Sequence, residues 1–121
     1  MDSYENFVKH KKSLKNLENC CKIYYMRSDF LFKDNYVFAD LVEIMRILRG
    51  ENGCPWDREQ NHKSIRNDFI EETYEAVEAI DNGDTEGLLE ELGDVLLQVV
   101  FHAEIADSQK EFNIDNVADG I

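Results

Sequence analysis

The stretch of sequence that decides the fold runs from Glu71 to Asp94 and reads EETYEAVEAIDNGDTEGLLEELGD. It contains two helical segments joined by the short connection Asp81-Asn-Gly-Asp-Thr85. In that connection Asn82-Gly83 can end the first helix, and Asp84 or Thr85 can cap the second. Because a connection this short favours antiparallel neighbours, the sequence predicts a helical hairpin at the centre of the chain.

Further helices are predicted on both sides of this hairpin. Apolar residues recur at intervals of three and four from Phe38 to Leu48, and Gly50, Gly53 and Pro55 end that run. Asp57-Arg-Glu-Gln60 has the spacing of a capping box and predicts a short helical turn.

The hairpin helices are predicted to extend beyond the central stretch. Ser64 can cap the first, which should run to about Ile80, and the second should reach about Ala106. Residues 113–121 are typical of the start of one more helix. Because no alternating strand pattern is present, the predicted fold class is all-α, an antiparallel helical bundle.

Composition and charge exclude several classes of function. The chain has 121 residues, enough for one small domain, and its 13 basic and 26 acidic residues give a net charge of −13. This balance disfavours binding to nucleic acid through its backbone and to anionic membranes. The longest apolar runs fall short of the ~20 residues of a membrane span, and the N-terminus lacks a signal-peptide pattern. Three cysteines without a CxxC spacing indicate reduced thiols, so we expect a cytoplasmic protein.

The charge is distributed unevenly along the chain. Residues 1–36 carry seven basic and five acidic side chains, whereas residues 37–121 carry six and twenty-one. The first part has no sustained apolar periodicity. We therefore expect residues 1–36 to be a tail or linker and residues 37–121 to form the helical domain.

Acidic residues dominate one arc of the first hairpin helix: Asp68, Glu71, Glu72, Glu75 and Glu78. Taken alone, such an arc is explained equally well by a solvated acidic surface and by a functional site. The second hairpin helix is apolar nearly all round, which is typical of a buried helix, yet it contains Glu91 and Asp94. A buried carboxylate costs several kcal/mol unless it is protonated, paired or bound to a metal ion.

The spacing of these acids favours a metal site. Glu72 and Glu75 form one i,i+3 pair, Glu91 and Asp94 form another, and an antiparallel hairpin can bring the two pairs face to face. The Glu-x-x-His motif of di-iron bundles is missing, because the residue three before His102 is a valine. Ligation by oxygen alone favours Mg²⁺, with Mn²⁺ also possible.

These motifs resemble those of a known enzyme family. Glu71-Glu72-Thr-Tyr-Glu75 followed by Glu91-Leu-Gly-Asp94 is similar to the EExxE…ExxD signature of the all-α nucleoside triphosphate pyrophosphohydrolases. The segment GCPWDREQ at 53–60 and the segment EELGDVLLQVVF at 90–101 resemble the MazG branch in particular. The resemblance covers roughly residues 38–106.

The resemblance implies a fold, a reaction and a set of residues. It implies an all-α bundle of the MazG type that hydrolyses nucleoside triphosphates, in a Mg²⁺-dependent reaction, to monophosphate and pyrophosphate as a house-cleaning activity. Carried over by position, Glu72, Glu75, Glu91 and Asp94 match the metal ligands. Glu71 is expected to orient or deprotonate the attacking water.

Three other residues are candidates for substrate binding, each with a structural alternative. Trp56 can stack on a base or fill the core. Lys63 and Arg66 can reach triphosphate oxygens or merely offset the acids. His102 is expected to be a packed, hydrogen-bonded histidine.

The alternatives concern activity and assembly. Related domains usually continue into a basic helix that helps to hold the phosphates, and this sequence stops at Ile121, where that helix would begin; we therefore expect the C-terminal helix to be cut short. A catalytically weak or inactive helical module, used for dimerisation or regulation, is the second hypothesis, and a purely structural acidic bundle is the third. The apolar circumference of the second hairpin helix predicts a homodimer or a higher homo-oligomer.

Overall fold

The computed structural model describes residues 33–121 and is built from helices, which confirms the predicted all-α class. In chain order the helices are α1 (Phe38–Arg49), α2 (Pro55–Glu59), α3 (Arg66–Asp81), α4 (Thr85–Ser108) and α5 (Ile114–Asp119). Most of the predicted tail, residues 1–32, lies outside the described residues. None of the helices in residues 33–121 is long and apolar enough to cross a membrane.

The hydrophobic core lies where α1 crosses the C-terminal half of α4. Its buried members come from α1, from the turn before α3 and from α4: Met45, Ile65, Leu97, Val100, Phe101 and Ile105. Helix α5 adds Ile114 to the edge of this cluster. The N-terminal half of α4 is left to pair with α3.

The α3–α4 hairpin forms as the sequence predicts. Helix α3 ends at the C-cap residue Asn82, and Gly83 takes a positive φ of 63°, which a glycine adopts without strain. Asp84 is the N-cap of α4, and its side chain accepts a hydrogen bond of 2.9 Å from the backbone N–H of Gly87. The short turn therefore sets α3 and α4 side by side in antiparallel directions.

Two predicted helix starts were wrong. Helix α2 begins at Pro55, two residues before the Asp57 capping box, because a proline with its fixed φ fits the first position of a helix. Ser64 does not cap α3, whose N-cap is Ile65. Instead the Ser64 hydroxyl accepts a hydrogen bond of 2.9 Å from the Asn61 backbone N–H in the preceding turn.

Helix α3 buries one of its acids together with two alanines. Glu72 is 1% exposed and lies on the same face as the buried Ala76 and Ala79. Val77 and Ile80, which lie on the opposite side of the helix from the acidic arc, are exposed. Of the five acids on α3, Glu72 is therefore buried, Asp68 and Glu75 are half-buried, and Glu71 and Glu78 remain exposed.

Candidate metal centre

A cluster of three carboxylates lies between α3 and α4. Glu72 projects from α3, and Glu91 and Asp94 project from successive turns of α4. One carboxylate oxygen from each of the three lies within 4.8 Å of the others. Glu72 and Asp94 are buried and Glu91 is half-buried. The hairpin register thus brings together both acids of the predicted α4 pair, Glu91 and Asp94, and one acid of the predicted α3 pair, Glu72.

The environment opposes ionisation of all three carboxyl groups. Burial, followed by repulsion from Glu75 and Glu91, raises the pKa of Glu72 from 4.5 to about 8. Burial and the neighbouring Glu75 raise the pKa of Glu91 to about 7. Burial alone raises the pKa of Asp94 from 3.8 to about 7. Without a cation, the cluster therefore holds protons at neutral pH that ordinary carboxyl groups have lost.

The cluster offers oxygen atoms that the protein does not satisfy. Within residues 33–121, Glu72 Oε2, Glu91 Oε2 and Asp94 Oδ2 are buried and have no hydrogen-bond partner. An unsatisfied buried carboxylate oxygen is costly, and a divalent cation removes that cost by coordination. Because all the available ligand atoms are carboxylate oxygens, the residues present fit a hard cation of the Mg²⁺ class.

Glu75 and Glu71 occupy different places relative to this cluster. Glu75 is half-buried and close enough to raise the pKa values of both Glu72 and Glu91, so the fourth predicted ligand lies at the border of the cluster. Glu71 is exposed on α3 and is not one of the three clustered acids. It is, however, adjacent in the chain to Glu72, the most deeply buried of the acids.

Comparison with known proteins identifies the family to which this arrangement belongs. Residues 60–121 match the MazG nucleotide pyrophosphohydrolase domain. The chain belongs to the MazG family. It is 53% identical over 81 residues to the nucleoside triphosphate pyrophosphohydrolase/pyrophosphatase MazG of Thermotoga maritima. The aligned residues make up 67% of this chain and 32% of that protein. It is 51% identical over 83 residues to the nucleoside triphosphate pyrophosphohydrolase of Mycobacterium tuberculosis, 67% of this chain and 25% of that protein.

A third relative carries no assigned activity in its name. The uncharacterized protein YabN of Bacillus subtilis is 54% identical over 84 residues, which is 69% of this chain and 17% of that protein. The chain thus spans about a sixth to a third of the length of these curated relatives.

The remaining predicted site residues of this MazG domain are not members of the acidic cluster. Trp56 is partly exposed on α2, where its backbone carbonyl accepts a hydrogen bond of 2.8 Å from Gln60 Nε2. Lys63 and Arg66 line a cavity at the start of α3. His102 lines the same cavity, and the prediction that it is packed and hydrogen-bonded is confirmed by its contact with His62, with the two Nδ1 atoms 2.7 Å apart.

Sequence reasoning missed three residues of this region. His62 and Phe69 contact His102, from which they are separated by 40 and 33 positions, so no local pattern could have paired them. Gln98 is 2% exposed, and its Oε1 atom has no hydrogen-bond partner in the described part of the chain. A signal for Gln98 was available, because it interrupts the apolar run of α4 one turn after Asp94.

Proposed function

We propose that this chain is a divalent-metal-dependent nucleoside triphosphate pyrophosphohydrolase that uses Mg²⁺, with Mn²⁺ as a possible substitute. The observation that carries the proposal is the convergence of Glu72, Glu91 and Asp94 with unsatisfied, buried oxygens. Membership of the MazG family and the names of the Thermotoga and Mycobacterium relatives support the choice of a triphosphate as substrate.

The proposed ligands are Glu72, Glu75, Glu91 and Asp94. A divalent ion bound there would neutralise phosphate oxygens and make a bound water more acidic. The protein supplies the two rigid helices that hold these carboxylates, and packing against α4 keeps the buried Glu72 in place. Because the ligands sit on helices rather than loops, the site needs little rearrangement to receive a cation.

The proposed reaction breaks the bond between the α-phosphorus and the oxygen that bridges it to the β-phosphorus. A water oxygen forms the new bond to the α-phosphorus, and its proton is taken up by Glu71. The electron pair of the broken bond leaves with pyrophosphate, so the products are a nucleoside monophosphate and pyrophosphate. The exposed position of Glu71 beside a buried ligand suits a group that exchanges its proton with solvent after each turnover.

The products test this proposal. We expect a panel of nucleoside triphosphates to yield monophosphate and pyrophosphate in the presence of Mg²⁺ and nothing in EDTA. Release of orthophosphate with a diphosphate would overturn attack at the α-phosphorus. Metal-dependent stabilisation without any turnover would favour the alternative of an inactive MazG-like module, and the absence of both would favour a structural acidic bundle.

The proposal includes a homo-oligomer in the cytoplasm. Support for self-association comes from apolar residues that are exposed on both hairpin helices: Val77, Ile80, Leu89, Leu92 and Leu96. Several exposed large apolar residues on a small domain are typical of a protein that buries them in a contact surface. Support for the location comes from the cysteine pattern, three cysteines without a CxxC spacing, of which Cys54 is buried.

A further inference from the structure

A cavity of about 410 Å³ lies at the N-terminal end of α3 and beside the C-terminal half of α4. Its lining combines three aromatic rings with two cationic side chains and one aliphatic group: His62, Phe69, His102, Lys63, Arg66 and Ile70. The volume falls within the range of small-molecule sites, which are mostly apolar with a few placed polar groups. No residue of the acidic cluster is among those that line it.

Three rings form the wall of this cavity. The imidazoles of His62 and His102 are nearly parallel, with an interplanar angle of 5° and centroids 5.0 Å apart. Phe69 packs against His102 at a centroid distance of 5.5 Å. The contact between the two Nδ1 atoms makes one imidazole the donor and the other the acceptor, which fixes both rings. Planar, fixed rings of this kind are suited to packing against another planar ring.

The cavity and the acidic cluster lie on one face of the hairpin. On α4, Glu91, Asp94, Gln98 and His102 follow at intervals of three, four and four, which places them in one stripe along the helix. On α3, Phe69 precedes Glu72 by three residues and faces the same partner helix. At 1.5 Å per residue, Asp94 and His102 are about 12 Å apart along the helix axis. Along α3 the corresponding separation of Phe69 and Glu72 is about 4.5 Å, so the cavity and the cluster are neighbours that one nucleoside triphosphate can reach together.

We propose that this cavity binds the base of the nucleoside triphosphate, with the rings of His62, Phe69 and His102 as its contact surface. The inference rests on the proposed function for the identity of the ligand. The exposed surface of the cavity is mostly carbon even though Lys63 and Arg66 belong to its lining, and this favours a base over a phosphate group as its occupant. Arg66 lies at the rim, where its planar guanidinium can cover the open face of a bound ring. Trp56, the aromatic residue singled out in the sequence, does not line this cavity.

Binding measurements with two ligands test the assignment. The first ligand is an α,β-methylene nucleoside triphosphate, which cannot be cleaved at that bridge, and the second is inorganic tripolyphosphate, which has no base; both are titrated calorimetrically in Mg²⁺. We expect Phe69→Leu, which removes the ring but keeps apolar bulk, to weaken binding of the nucleotide analogue about three- to tenfold. Binding of tripolyphosphate should change less than twofold.

Two further variants keep the test decisive. His62→Ala alters the turn before α3 rather than a helix, so it reports on the cavity if Phe69→Leu fails to fold, and we expect the same selective loss. Phe112→Leu removes an exposed aromatic ring outside the cavity and should change neither affinity.

The possible outcomes separate this inference from the proposed function. An equal loss for both ligands would mean that the cavity holds phosphate, and no loss for either would remove it from the site; both results overturn the inference. Wild-type protein that binds tripolyphosphate as tightly as the analogue, or that binds neither ligand, would overturn it too. Selective loss in a protein that releases no pyrophosphate from triphosphates would refute the proposed function and leave the base site supported.

Discussion

Replacing Glu72 by glutamine should stabilise the metal-free protein in alkaline solution. The folded protein holds a proton on Glu72 up to a pKa of about 8, whereas an unfolded glutamate loses its proton near 4.5. Because the folded state binds the extra proton, the wild-type free energy of unfolding falls as the pH rises from about 4.5 to 8. Glu72→Gln carries no charge in either state, so this contribution to the pH dependence disappears.

The magnitude follows from the size of the shift. A rise from 4.5 to about 8 corresponds to about 5 kcal/mol at 1.36 kcal/mol per pKa unit. Glu75 and Glu91 share the repulsion and lie nearer to water, which screens part of it, so we expect about 2 kcal/mol for the single substitution. For a domain of this size, that gain raises the melting temperature by about 8–16 °C at pH 9. At pH 5 the gain should be close to zero.

Thermal melts in EDTA at pH 5 and pH 9 measure this effect. Glu78→Gln is the matched control, because Glu78 is an exposed acid on the same helix and outside the cluster. Repeating the melts in Mg²⁺ tests the ligand role: at a hundredfold excess over Kd the wild type should gain about 2.7 kcal/mol, and Glu72→Gln should lose most of that gain. The reasoning would be refuted if Glu72→Gln and Glu78→Gln had the same melting temperature at pH 9. It would also be refuted if Mg²⁺ left the melting temperature of the wild type unchanged.

Three more predictions concern catalysis, assembly and the fold. Glu71→Gln should slow pyrophosphate release by about 10²–10⁴-fold and leave the Mg²⁺-dependent rise in melting temperature intact; a loss under tenfold would remove it from the role of base. Leu92→Glu should shift the protein towards monomers in sedimentation velocity at micromolar concentration, and a wild type that is already monomeric would contradict the assembly. Gly53→Ala should destabilise the fold by about 1–3 kcal/mol in urea unfolding, because an added Cβ would overlap backbone carbonyls at the end of α1. Gly93→Ala is its control, since no described atom lies within 4 Å of the added carbon and the change favours the helix.

Local signals were sufficient for the helices and for much of the cluster. The caps at Asn82-Gly83 and Asp84 depend on a few neighbouring residues, and the structure has them where the sequence indicates. The paired spacing of Glu91 and Asp94 on a largely apolar helix identified one half-buried and one buried acid, because carboxylates are rarely tolerated in such surroundings without a partner.

Features that depend on distant contacts could not be derived in this way. The helical pattern of α3 separates an acidic side from an apolar side but does not state which side meets α4. Ordinary hydrophobicity would bury Val77 and Ile80, whereas the structure buries Glu72. The cavity was likewise missed, because His62 reaches His102 only after the chain has turned through the whole hairpin.

The orientation of α3 links the candidate metal centre to the proposed assembly. A helix that turned Val77 and Ile80 towards α4 would satisfy its apolar groups within one chain, but it would carry Glu72 away from Glu91 and Asp94. The observed orientation gathers the acids and leaves apolar residues exposed on both hairpin helices, with Leu89 76% exposed. In the proposed function a cation would satisfy the acids, and a second copy of the chain would cover the exposed apolar residues. The same orientation of α3 would therefore account for both the candidate metal-binding cluster and the proposed self-association.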